Sequence, residues 1–160
     1  MRRLLVLPAL AIALLLACRG PEPLPLSPPE TAELKKPLIG TMALVFHFDN
    51  PIWRGPISGD IDGWIEFTSV GGWARGKAWL FAETWEIKAY DPGTEEIGPV
   101  LLSGTDEGVV SPNSDYRMNG VVTYAADGWT HLLGRNVHAS GYITWIGEDP
   151  ETAPGEFRIN

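Results

Sequence analysis

The sequence predicts an all-β protein, a single antiparallel β-barrel or, as the alternative, a two-sheet β-sandwich. Three observations lead there. From residue 39 onward the chain breaks into runs in which apolar and polar residues alternate, the periodicity of half-buried strands. Those runs are punctuated by turn residues and carry many aromatics: 18 Gly, 14 Pro and seven Trp in 160 residues favour strands and turns over helices. The last run, residues 155–159, sets Phe157 and Ile159 on one face, as a closing strand that pairs with the first would require.

Residues 1–17 read as a cleaved export signal. Arg2 and Arg3 precede an apolar run over residues 4–16 that is too short for a membrane span. Leu15-Leu16-Ala17-Cys18 resembles the lipobox of bacterial lipoprotein precursors, with its aliphatic residue, small residue and invariant cysteine. The resemblance implies diacylglycerol on Cys18, cleavage before it, and acylation of the new amino terminus by a fatty acid such as palmitate. Several chains at about 0.8 kcal/mol per buried methylene would fix the protein to a bacterial membrane. In a diderm cell that would be the outer membrane, because Arg19 stands where an inner-membrane Asp signal would lie. Cys18 is the only cysteine, so no intrachain disulfide supports the fold.

Residues 18–38 read as a tether. Six prolines between residues 19 and 37 fix φ and remove donors, which favours an extended spacer of about 3.1 Å per residue. Residues 30–36 could turn once as a helix but are too few to hold it. The charge is -8. Removing residues 1–17 takes away two arginines and no acid, leaving ten cations against twenty acids. Such a balance excludes nucleic acid as an expected partner.

The body, residues 39–160, is read strand by strand. In residues 41–48, Met42, Leu44, Phe46 and Phe48 oppose Ala43, Val45 and His47, and Asp49-Asn50-Pro51 ends the run. No partner at ligand spacing accompanies His47, so it is read as packed rather than metal-bound. In residues 58–68, Ile61, Gly63, Ile65 and Phe67 oppose Asp60, Asp62, Trp64 and Glu66. Asp60-Ile61-Asp62-Gly63 resembles the start of an EF-hand loop, but the later ligands are missing and no calcium is expected. Residues 73–90 carry helix formers and a Phe81/Trp85 pair at i,i+4 spacing. They also alternate, with Trp79, Phe81, Glu83, Trp85 and Ile87 on one side, and a long bent strand is preferred. Residues 99–111 read as two short strands or as one with a bulge at Gly104. Residues 112–119 read as a polar connector, and residues 149–154 as a final turn.

Residues 120–145 hold the candidate site. Asp127-Gly128 suits a type I′ turn, which would pair Val122 with Leu133, Tyr124 with His131 and Ala126 with Trp129 on an inward face. A second turn at Gly134-Arg135 would set His131 opposite His138; one at Arg135-Asn136 would set it opposite Ser140. Tyr124, His131, His138 and Arg117 are therefore the ligand-binding candidates, with Asp106 and Glu107 able to cap them. The competing reading is that the inward polar groups are simply hydrogen-bonded. No phosphate loop, dinucleotide fingerprint, GxSxG, HExxH or CxxC is present in the sequence, so no catalytic residue, metal or cofactor is assigned.

The short Gly-punctuated strands, with GYITW at 141–145 and GEFRI at 155–159, resemble small antiparallel barrels of the allene oxide cyclase-like and lipocalin-like kind over residues 40–160. The lipocalin GxW motif is missing near the first strand, and no cyclase catalytic residue maps onto the chain. The resemblance implies a barrel and transfers no activity. The functional expectation is a membrane-anchored envelope lipoprotein that binds a small apolar ligand or an envelope protein partner. The alternatives are an isomerase or cyclase using Tyr124, His131 and His138 as acid and base groups, and a structural or adhesive surface module.

Overall fold

The computed structural model describes residues 36–160, apart from Asp49 and Pro51. The expected signal peptide, Cys18 and the expected tether up to residue 35 lie outside the described residues. The described chain forms β1 (Leu38–His47), β2 (Ile52–Gly59), β3 (Gly63–Arg75), β4 (Ala78–Asp91), β5 (Glu96–Val110) and β6 (Asp115–Ala125). A 3-10 turn (Thr130–Leu132) leads to β7 (Asn136–Tyr142), β8 (Thr144–Ile146) and β9 (Asp149–Ile159). Sequential strands pair antiparallel from β1 to β7. β9 then lies between β7 and β1, with Ala139 opposite Phe157 on one side and Gly40 opposite Phe157 on the other. This closes an eight-stranded antiparallel barrel, the predicted fold class. β8 is an extra strand that pairs only with the start of β9.

Alternation sets the inward face. Met42 and Leu44 of β1, Ile65 and Phe67 of β3, and Trp85 and Ile87 of β4 are all buried, on the faces their spacing predicts. The centre is an aromatic stack in which the Phe157 ring meets Trp85 at 5.2 Å and Phe67 at 6.4 Å, both edge-on, a favoured aromatic geometry. At the end of the barrel where β1 begins, Ile61 and Leu132 turn inward from the β2–β3 and β6–β7 connections and complete the core. Asp60 and Asp62 serve that end by accepting backbone N–H groups from Ile39 and Gly59.

Large inward side chains are accommodated by glycine on the next strand. A Cβ on Gly104 would run into the Trp85 indole, and one on Gly108 would run into the Phe81 ring. Alternating small and large residues in this way fills a small barrel without overpacking.

Four readings are corrected, and of the two alternatives offered for residues 99–111 the single strand is found. The run from residue 73 is not one strand, because Gly76-Lys77 makes a hairpin turn between β3 and β4, with Gly76 at φ 63°. β6 begins at Asp115, inside the expected connector, and β9 begins at Asp149, where a turn was expected. β5 runs unbroken through Gly104. The register shift opposite Ser103 and Gly104 leaves Thr123 of β6 as the extra residue.

The fourth concerns Asp127-Gly128. The chain turns there, with Trp129 N donating to Ala126 O at 2.9 Å, but only Gly128 has positive φ, whereas a type I′ turn needs it at both positions. The chain enters the 3-10 turn instead of a returning strand. Val122 consequently bonds to Gly134 and Arg135 rather than facing Leu133.

Phe157→Ala would leave a cavity in the aromatic stack beside the seam strand. We expect a loss of about 3–5 kcal/mol, read as a lowered urea midpoint with little change in the slope of the transition.

Candidate functional site

Packing fills only part of the barrel. Beyond the aromatic stack, toward the β1–β2, β3–β4 and β5–β6 hairpins, the interior opens into a cavity of about 500 Å³, within the usual range of small-molecule sites. Its floor includes Phe67, and its wall includes Leu44, Trp53, Phe81, Met118 and Ala153. Lys77, Trp79 and Trp145 reach it from the hairpins of the open end. The Trp145 indole N–H donates to Ser114 Oγ at 2.9 Å, which ties β8 to the β5–β6 hairpin.

One carboxyl group interrupts this apolar wall, and a second is buried beside it. Glu83 of β4 projects between Phe81 and Trp85 and lines the cavity. Across the strand pair it stands opposite Asp106 of β5, and cross-strand partners on one face lie side by side. Glu83 is 8% exposed and Asp106 is 4% exposed. Both Asp106 oxygens are buried without a hydrogen-bond partner. On the far side of Asp106 stands Gly120, where a Cβ would come within 2.7 Å of the Asp106 Cβ. Glycine there makes the room that the acid occupies.

Burial, joined at Glu83 by the charge of Asp106, raises both acids well above their ordinary range. Burial raises Asp106 from 3.8 to about 7. Burial, and then the Asp106 charge, raise Glu83 from 4.5 to about 8. Whichever acid ionises first leaves a charge that resists the ionisation of the other. Tyr116 of β6 lines the same cavity, and burial, followed by the Glu83 charge, pushes its phenol upward as well. The Tyr116 hydroxyl donates toward Ala153 O at 3.4 Å and lies where a Cβ on Gly141 would stand, 2.6 Å away. The site therefore combines an aromatic enclosure with a carboxyl pair able to donate a hydrogen bond or, once ionised, accept a cation's protons.

The residues singled out from sequence lie elsewhere. Tyr124 is 49% exposed. Its inward assignment fails because Thr123 is a bulge: Val122 pairs with Gly104 and faces in, whereas Tyr124 pairs with Ser103 and faces out. One inserted residue reverses the face. His131 is exposed on the 3-10 turn, and His138 is on the outer face of β7 with its Nδ1 2.8 Å from Asn119 Oδ1. Arg117 is exposed on β6 between inward Tyr116 and Met118. None of the four lines the cavity, and the constellation is not assembled. His47 takes a hydrogen bond from Arg54 at 3.1 Å. Of the two suggested caps, Glu107 is exposed and Asp106 is interior.

Glu83 and Tyr116 carried a readable signal. Glu83 is the one charged residue on the alternating face of Trp79, Phe81, Trp85 and Ile87. Tyr116 and Met118 alternate at the end of the polar stretch that was read as a loop. Compared with protein-family models, with curated proteins and with solved structures, the chain matches none.

The carboxyl pair gives stability an unusual pH dependence. Both acids hold protons more tightly in the folded chain than in the unfolded one. Their contribution is therefore full below the ordinary carboxyl range and is lost as pH rises through about 7 to about 8. We expect the unfolding free energy read from urea transitions to fall between pH 5 and 9, by on the order of a few kcal/mol. Glu83→Gln and Asp106→Asn should each flatten that slope.

Proposed function

We propose that this protein is a membrane-anchored envelope lipoprotein whose barrel binds a small apolar ligand through its open end. The observation that carries the binding role is the half-empty interior, since an eight-stranded barrel can be filled by its own side chains and this one leaves about 500 Å³ open. Aliphatic and aromatic side chains together make up most of its wall, as in sites that take apolar molecules. Access is from the end where Trp73, Trp79, Trp145 and Ile146 stand exposed, so an approaching apolar molecule meets apolar surface before the cavity. The anchor rests on the Leu15-to-Cys18 motif alone.

A second reading takes the same exposed rim as a docking face for an envelope protein. It is favoured by Phe48, Val70 and Trp73, which are exposed near the open end without lining the cavity.

Two measurements address the halves of the proposal. Cells expressing the full chain and fed labelled palmitate should yield a labelled protein, and Cys18→Ala should abolish the label; an unlabelled parent chain removes the anchor. Trp53, Trp79 and Trp145 at the cavity make tryptophan fluorescence a direct reporter of binding by decan-1-ol. Val110→Trp, which fills the cavity from β5, should weaken that binding at least tenfold while near-ultraviolet circular dichroism shows a folded barrel. Equal binding by the filled variant would place the ligand elsewhere.

A further inference from the structure

We propose that the ligand of the barrel cavity carries a basic amine, whose ammonium group pairs with Glu83 and Asp106 while its apolar body lies against the aromatic wall. The proposal rests on the reading of the cavity as a ligand site. It starts from two acids, each more than nine-tenths buried, set side by side across β4 and β5. Among the described residues neither takes part in an ion pair; the described ion pairs are Glu66 and Glu86 with Lys88, and Glu156 with Arg158. A buried carboxylate without a partner is costly, and two adjacent ones repel. Without a ligand the pair meets that cost by retaining protons. An ammonium group would meet it by supplying a positive charge and up to three N–H donors.

The surroundings narrow the ligand's chemistry. The groups facing Glu83 are Ser69 from β3, Asp106 from β5 and Tyr116 from β6. Lys77 is the one basic residue of the cavity lining; it is exposed on the β3–β4 hairpin. A fatty carboxylate would bring a third acid against the pair. An alcohol could hydrogen-bond but would leave the charge uncompensated. A hard divalent cation needs six or more oxygen ligands, whereas the cavity wall is mostly apolar. The chain's net charge of -8 favours the approach of a cation.

Titration of the purified full chain with decylamine, decan-1-ol and decanoic acid, followed by tryptophan fluorescence at pH 8 and pH 5, tests this. At pH 8 decylamine should bind at least tenfold more tightly than decan-1-ol, and decanoic acid most weakly. At pH 5, where the pair holds its protons, the advantage of the amine should shrink. Glu83→Gln and Asp106→Asn should each reduce the ratio of amine to alcohol affinity. If amine and alcohol bind alike at pH 8, or the acid binds most tightly, the amine assignment is overturned and the cavity reading stands. If none of the three binds, the cavity reading itself falls and the amine assignment with it.

Discussion

Closure of the sheet by β9, hydrogen-bonded to β7 on one edge and to β1 on the other, is the constraint on which the rest of the structure depends. A closed ring leaves little exposed edge, and it also fixes an interior that inward side chains must fill or leave open. Around the aromatic stack they fill it: Trp85, Phe67 and Phe157 occupy the axis, and Gly104 yields its side-chain volume to Trp85. Toward the open end the inward side chains, among them Leu44, Val110, Tyr116 and Met118, do not fill the axis, and a cavity results. The site is thus a consequence of where bulk stops along the barrel axis.

Glu83 and Asp106 sit at the level where the packed core gives way to the cavity, and their setting differs from that of the outer acids. On the outer face of β3 and β4, Lys88 lies 2.5 Å from Glu66 and 3.2 Å from Glu86. These half-exposed groups have both a counter-charge and solvent. The inner pair has no counter-charge and little solvent. Burying carboxyls without a counter-charge costs stability, so nothing in the packing of the barrel calls for carboxyls at these two positions. Gly120 extends the point, because it leaves space for the Asp106 side chain at the cost of a weaker strand.

Much of the fold was legible in the sequence because burial on one face imposes a period of two. The inward sets of β1, β3 and β4 follow from it, and the seam strand follows from Phe157 and Ile159. What was illegible has a common cause: alternation fixes a face only until one residue is inserted. Thr123 reverses the face of Tyr124, and the neighbouring Asp127-Gly128 pair, which resembles a hairpin turn, instead opens into the 3-10 turn that brings Leu132 into the core. The expected site was built on that register and dissolved with it. Glu83 was assigned the correct face, next to Phe81 and Trp85. An acid at an apolar position is informative only when its partner is known, and Asp106 comes from a strand whose pairing the sequence does not fix.

The position of the pair also gives the barrel a way to couple binding to protonation. Without a ligand the two acids retain protons because ionisation would leave charge in an apolar enclosure. A cationic group arriving there favours their ionised forms, so protons leave as it binds. The affinity of such a ligand then falls as acidity rises through the range in which the free pair titrates. A ligand that binds the folded chain alone also stabilises it, in proportion to the logarithm of ligand concentration over Kd. Above the range where burial favours the protonated acids, a cationic ligand would offset the instability they create, whereas a neutral ligand of the same shape would fill the cavity and leave the charge uncompensated. Fit and charge are therefore separate requirements, the first met by the aromatic wall and the second by Glu83 and Asp106.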